Sequence, residues 1–140
     1  MYLFVYGTLL SSVPSSMSKF LRRRATLVGE ATVSGRLYDL GRYPGFQIGG
    51  GKVTGELYLL EEKRQQQTIE MLDAYEGVAG EAEDEYVRTG VKCTLANGTT
   101  VEADTYVSRS LPSQAARIVS GDYAKFYVSS IAHQEFVNGV

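Results

Sequence analysis

Cysteine, histidine and long apolar runs are scarce in this sequence, and each scarcity removes a class of protein. Cys93 is the single cysteine. It excludes an extracellular disulfide framework and points to a reducing, cytoplasmic setting. His133 is the single histidine. With one thiol and one imidazole, zinc has too few of its preferred ligands, and no metal is expected. A nucleophilic triad would need a base beside a hydroxyl or thiol, and His133 has no obvious partner nearby in sequence, so it reads as a surface or packing residue. No stretch approaches the ~20 apolar residues of a membrane helix. Met1 to Tyr6 is apolar, but it lacks a basic lead and is cut off by Gly7, which makes it a poor signal peptide. The net charge of -2 and pI near 5.4 give no overall attraction to phosphate backbones. Neither nucleic acid nor a membrane is expected as a partner.

The chain has 140 residues, 44% hydrophobic and 21% charged. That balance predicts one globular domain over 1–140, long enough to remove roughly 68–70% of its unfolded surface from water. Met1 to Tyr6 reads as a first strand buried on both faces. A Gly7–Leu10 turn and the serine-rich stretch Ser11 to Ser16 follow as a loop. A short helix is predicted over Met17 to Arg24, with Ser16 as its N-cap and Arg22, Arg23 and Arg24 at the negative end of the dipole. Three strands follow: Ala31 to Leu40, Phe46 to Ile48 and Val53 to Leu60. Turns at Gly41–Gly45 and Gly49–Gly51 join them. In the last, Val53, Gly55, Leu57 and Leu59 share a face, with a glycine where another backbone can approach closely.

Glu61 to Tyr75 is a helix ending at Gly77, with Ile69, Leu72 and Tyr75 at three-residue spacing. Gly77 to Glu85 carries Glu81, Glu83, Asp84 and Glu85. It reads as a solvated loop, able to shift on ligand binding or to repel anionic substrates, rather than as a set of metal ligands. Val87, Val91, Cys93 and Leu95 share one face of the next strand, so Cys93 reads as a small buried hydrophobe and not a nucleophile. Asn97-Gly98 predicts a hairpin returning through Thr100 to Val107. The tail from Ser113 is helical in places and packs across the sheet. Gly49-Gly50-Gly51-Lys52 is no phosphate loop, because Phe46 and Val53 stand where glycine and a hydroxyl residue are required.

Five pieces in order carry a resemblance: Val5-Tyr6-Gly7-Thr8-Leu9; Gly35-Arg36-Leu37-Tyr38-Asp39-Leu40-Gly41 with Tyr43-Pro44; Val53-Thr54-Gly55-Glu56-Leu57-Tyr58; Leu72-Asp73-Ala74-Tyr75-Glu76-Gly77; and Tyr86-Val87-Arg88. From about residue 3 to about residue 107 the chain resembles the γ-glutamylcyclotransferase-like family, which includes the γ-glutamylamine cyclotransferases and AIG2-like proteins. The resemblance implies an α+β fold, a small mixed β-barrel with flanking helices, and an enzyme without cofactor acting on a small γ-glutamyl molecule as a monomer or weak homodimer. It implies that Tyr6, Gly7, Thr8 and Leu9 bind the glutamyl moiety through main-chain amides, that Glu76 is the acid-base residue and that Tyr86 is a pocket contact.

The residues suit that chemistry. A γ-glutamyl group carries its own amine nucleophile, so holding it folded draws on the ~7–11 kcal/mol available from proximity. One carboxyl can take a proton from the amine and return it to the departing nitrogen. Taken without the resemblance, Tyr6-Gly7 reads as a strand end and turn, and Glu76 as a surface glutamate at a helix C-terminus. A non-catalytic protein holding a small metabolite in the same cavity is the alternative reading.

Overall fold

The computed structural model describes residues 1–139. Its strands are β1 (Tyr2–Val5), β2 (Ala25–Asp39), β3 (Pro44–Leu60), β4 (Tyr86–Leu95), β5 (Thr100–Ser108) and β6 (Ala116–Ile118). The helices are α1 (Ser16–Arg24), α2 (Gln65–Glu76), α3 (Tyr123–Tyr127) and α4 (Ile131–Asn138), with a 3₁₀ turn at Glu62–Arg64 before α2. The strand order β3-β1-β5-β4-β2, with β2 pairing back to β3, closes a five-stranded barrel; β6 extends it along β2. The β1–β5 contact is parallel and the other barrel pairings are antiparallel. This is the mixed barrel with flanking helices that the sequence motifs imply.

Leu3, Phe4 and Val5 of β1 are all buried, as an apolar strand without alternation requires. Gly55 lies where β1 crosses β3. A Cβ there would overlap the Val5 carbonyl oxygen and the Phe4 ring. The hairpin at Asn97-Gly98 forms as expected: Gly98 takes φ 87°, and the Asn97 side chain accepts from the Thr99 amide at 2.9 Å. Val91 and Cys93 are buried on β4, while Val87 and Leu95 are only half-buried. Burial pushes the Cys93 thiol up to about 11, which keeps it an inert packing group.

Several boundaries differ from the sequence expectation. Phe46 to Ile48 and Val53 to Leu60 are one strand. The register passes from Ser34↔Lys52 to Gly35↔Ile48, so Gly49–Gly51 form a bulge within β3 and not a turn between strands. Glycine suits the bulge because Gly49 and Gly50 take positive φ, and Arg36 Nε donates to the Gly49 carbonyl at 3.0 Å. The β2–β3 turn is confined to 40–43, with Leu40 N donating to the Tyr43 carbonyl. On β3, Leu59 is 40% exposed whereas Tyr58 and Leu60 are buried, so the expected alternation fails at the end where α1 and α2 also bury Phe20, Leu21, Ile69 and Leu72. The N-cap of α1 is Ser15, not Ser16. Ser15 Oγ accepts from the Ser18 amide at 3.0 Å and donates to the Thr8 carbonyl at 2.6 Å, tying the helix to the loop after β1.

His133 has two partners that sequence distance conceals. Fully buried on α4, it meets the Tyr123 hydroxyl through Nδ1 and Asp39 Oδ1 through Nε2, each at 2.7 Å. It is a packing residue, one that fixes the C-terminal helices to the end of β2.

Gly55→Ala forces the β1–β3 crossing apart and is expected to cost about 2 kcal/mol in urea unfolding. Gly90→Ala, where an added Cβ meets nothing within 4 Å, should stay within about 0.5 kcal/mol of the parent. Equal midpoints for the two variants would show that close strand approach is not what Gly55 provides.

Candidate active site

The turn after β1 and the end of α2 meet at the mouth of the barrel. Gly7 lies two residues past the end of β1, and a Cβ on it would come within 2.7 Å of Pro44 Cγ. Its missing side chain therefore admits Pro44, which lets the turn lie against the start of β3. The turn is braced from outside by Glu56, whose carboxylate accepts from Ser11 N at 2.7 Å and from Ser11 Oγ at 2.5 Å. The Leu10 amide is spent on the Gly7 carbonyl, but among the described residues no acceptor takes the amides of Gly7, Thr8 or Leu9. Thr8 and Leu9 are buried, so these are free donors in a poorly solvated place.

Helix α2 reaches the same place because its C-terminus is closed by Gly77 in the left-handed conformation, φ 73°. The Gly77 amide donates to the Ala74 carbonyl and the Val78 amide to the Asp73 carbonyl, a Schellman closure. One turn earlier, Asp73 anchors the helix to the barrel. Its carboxylate accepts from Arg88 Nε at 2.9 Å and from the Tyr106 hydroxyl at 2.7 Å, and Arg88 also pairs with Asp104 at 2.7 Å. Tyr75, one residue before Glu76, shares a hydrogen bond with Thr8 Oγ1 at 2.9 Å, joining helix to turn.

Between these anchors is a cavity of about 190 Å³. Tyr6, Gly7, Thr8, Leu9, Glu76 and Tyr86 all line it, together with Tyr43, Pro44, Tyr75, Glu85, Tyr106 and Phe136. The six residues singled out from the sequence motifs thus surround one hollow. Two of them present less than their side chains suggest. The Tyr6 hydroxyl donates to the Tyr106 carbonyl at 2.6 Å and the Tyr86 hydroxyl to the Pro44 carbonyl at 2.7 Å, so both phenols are occupied and offer ring surface. Burial, with the Glu76 and Glu85 carboxylates, holds the Tyr6 phenol well above its ordinary value, so it stays neutral.

Glu76 is half-buried on the cavity wall and receives no hydrogen bond from the described residues. Burial, then the negative charges of Glu85 and Asp73, push its carboxyl up to about 8. The carbonyl end of α2 acts in the same sense, since an anion there opposes the helix dipole.

The acidic stretch is not the uniform solvated run expected from sequence. Glu81 and Glu83 are exposed, but Asp84 Oδ2 accepts from the amides of Ala79, Gly80 and Glu81 at 2.7, 2.9 and 3.1 Å and orders the loop from within. Those amides hold its carboxyl below the usual range. Glu85 lines the cavity and accepts from the Tyr43 hydroxyl. Tyr43, Pro44, Tyr75, Glu85, Tyr106 and Phe136 are cavity residues that the sequence reading did not single out. For Glu85 the signal lay in its position directly before Tyr86; for Phe136, nothing local marks it. Among the described residues no group of three side chains is placed to hold a metal ion, and no helix is long and apolar enough to cross a membrane.

The order of these parts along the chain is that of a known family. Residues 3–125 match the model of the gamma-glutamyl cyclotransferase, AIG2-like family, and the chain belongs to it. The gamma-glutamylcyclotransferase family protein ytfP of Citrobacter rodentium is 34% identical over 90 residues, which cover 64% of this chain and 73% of that protein. The solution structure of ytfP from Escherichia coli superposes with a TM-score of 0.62 at 29% identity, covering 88% of this chain and 96% of that one. Protein PH0828 from Pyrococcus horikoshii, at 23% identity, shares the fold with a TM-score of 0.65 over 91% of this chain and 93% of its own.

A carboxyl that is easier to protonate in the folded chain loses stability as pH rises. Unfolding then releases a proton between 4.5, the ordinary value for glutamate, and about 8. Glu76→Gln, which removes this titration, should therefore match the parent below that window and exceed it by up to about 5 kcal/mol above it, read from urea unfolding at both ends. A constant difference at all pH values would mean that Glu76 ionises freely.

Proposed function

We propose that the protein cyclises the γ-glutamyl group of a small γ-glutamyl amine or γ-glutamyl amino acid to 5-oxoproline, releasing the attached amine. The observation that carries this reading is the opposition, across one small cavity, of free main-chain amides after β1 and the proton-retaining carboxyl of Glu76.

The reaction is a transfer within the substrate. The neutral α-amine attacks the γ-carbonyl carbon, closing a five-membered ring, and the carbonyl oxygen becomes an oxyanion. Amides of Gly7, Thr8 and Leu9, already without partners, are suited to receive that oxygen or the substrate's carboxylate with no rearrangement. As the ring nitrogen gains positive charge it loses a proton to the Glu76 carboxylate. The same proton passes to the departing nitrogen as the carbon–nitrogen bond breaks, leaving Glu76 ionised as it began. A carboxyl poised near 8 suits both steps, since an ordinary glutamate returns a proton to an amine reluctantly. Neither water nor a protein nucleophile takes part. A single buried thiol with no disulfide suits the cytoplasm, where we assign the activity.

Incubation of the purified protein with a panel of γ-glutamyl amines and γ-glutamyl amino acids should yield 5-oxoproline, detected by mass spectrometry. Glu76→Gln should keep the fold and lose ~10²–10⁴-fold in kcat. The parent's kcat/KM should rise with pH around a midpoint near about 8, as Glu76 becomes able to accept a proton. Ligand-induced thermal stabilisation without any product, or full turnover by the Gln variant, would overturn the assignment.

A further inference from the structure

The cavity's floor and rim differ in chemistry. On the floor, Tyr6, Thr8, Leu9 and Tyr106 are buried, and the free amides of the turn are the donors. On the rim stand Glu85, exposed, and Tyr43 and Phe136, half-buried with ring centroids 5.3 Å apart. The Tyr43 hydroxyl lies 2.8 Å from each Glu85 oxygen and donates to that carboxylate, fixing it at the mouth. An ionised carboxylate has about four acceptor sites, so a single phenol donor leaves capacity for a further donor.

Building on the cyclotransferase reading, we propose that the amine released by this protein carries a second positive charge, held at the rim by Glu85 and the faces of Tyr43 and Phe136. In cyclisation every reacting atom belongs to the glutamyl head or to the scissile nitrogen, and these lie beside Glu76 and the turn amides. What crosses the rim is the rest of the leaving group. A carboxylate flanked by aromatic faces is the arrangement that holds an ammonium group. The loop that carries Glu85 adds negative charge of its own, with Glu81 and Glu83 exposed on it and Asp84 turned inward onto its own amides beside Arg109. Arg42 approaches Phe136, its guanidinium 5.9 Å from the ring centroid, but it does not line the cavity, whose charged lining residues are Glu76 and Glu85. A leaving group ending in a carboxylate would meet Glu85 at close range and is disfavoured.

The test compares three compounds of equal reach: the γ-glutamyl derivatives of 1,4-diaminobutane, of n-pentylamine and of 4-aminobutanoic acid. With the parent protein, kcat/KM for the diamine derivative should exceed that for the pentylamine derivative about tenfold, and the aminobutanoate derivative should be poorest. Glu85→Gln should bring the diamine-to-pentylamine ratio close to one, and Glu85→Lys should favour the aminobutanoate derivative. The ratio is the readout, because Glu85 also raises the proton affinity of Glu76 and its loss alters turnover of every compound. Equal turnover of all three by the parent, or an unchanged ratio in Glu85→Gln, would overturn the rim assignment and leave cyclisation standing. Absence of 5-oxoproline from all three and from the wider panel would instead overturn the cyclotransferase reading, and this inference with it.

Discussion

The architecture of the site depends on Asp73. A carboxylate near the end of a helix, where the dipole is unfavourable to it, needs compensation. Asp73 obtains it from the Arg88 guanidinium and the Tyr106 hydroxyl, both on barrel strands. That compensation fixes where α2 ends. Three residues later Glu76 has no such partners, and the left-handed turn at Gly77 sends the chain away before the helix can carry it past the barrel mouth. The two acids experience opposite environments although they share one helical turn. Asp73 is paired and structural; Glu76 is unpaired, and its carboxyl is pushed up to about 8. Arg88 is thus best understood through what it withholds, since a guanidinium shared by Asp73 and Asp104 is not available to ionise Glu76.

Local sequence exposed the parts of this arrangement that local physics determines. Gly77 after an apolar-periodic helix marks its end, Asn97-Gly98 marks a hairpin, and Gly55 in an alternating strand marks a backbone crossing; each is a steric necessity confined to a few residues. The ordered motifs brought Glu76 and the Tyr6–Leu9 turn together across some seventy residues, which no periodicity argument would have done. What escaped were pairings at long sequence separation. His133 reads as unpartnered because Asp39 lies on a distant strand. Gly49–Gly51 read as a turn because a bulge and a turn share composition and differ only in what the strand does on the far side. Glu85 was submerged in an acidic run whose members separate into a loop-ordering group, two solvated ones and a cavity one only when the backbone is seen.

The phenols of the cavity show why counting polar side chains overstates its polarity. Tyr6, Tyr86 and Tyr106 each give their hydroxyl proton to a neighbouring protein acceptor: the Tyr106 carbonyl, the Pro44 carbonyl and Asp73. Burial holds Tyr86 and Tyr106 far above the ordinary phenol range, so none of these protons is available at neutral pH. Their rings furnish apolar wall, and their hydroxyls join the segment after β1 to β5, β4 to β3, and β5 to α2 around it.

Beside those phenols the cavity presents a small set of polar groups: unpaired amides after β1, Glu76, and at the rim Glu85 with Tyr43. Main-chain amides do not titrate and only a proline substitution removes one, whereas the carboxyl that shares their cavity is destabilising where it ionises. The cost is contained because the cavity is shallow enough for Glu76 to remain half-exposed, and because the neighbouring Glu85 is held outward by a neutral donor instead of an opposing cation. Were Glu85 paired with a lysine or arginine, its field at Glu76 would be cancelled and the proton affinity of that carboxyl would fall toward the ordinary glutamate value. A phenol fixes the second carboxylate in place without neutralising it. The same contact therefore serves two ends at once, keeping negative charge at the mouth and keeping the inner acid protonatable.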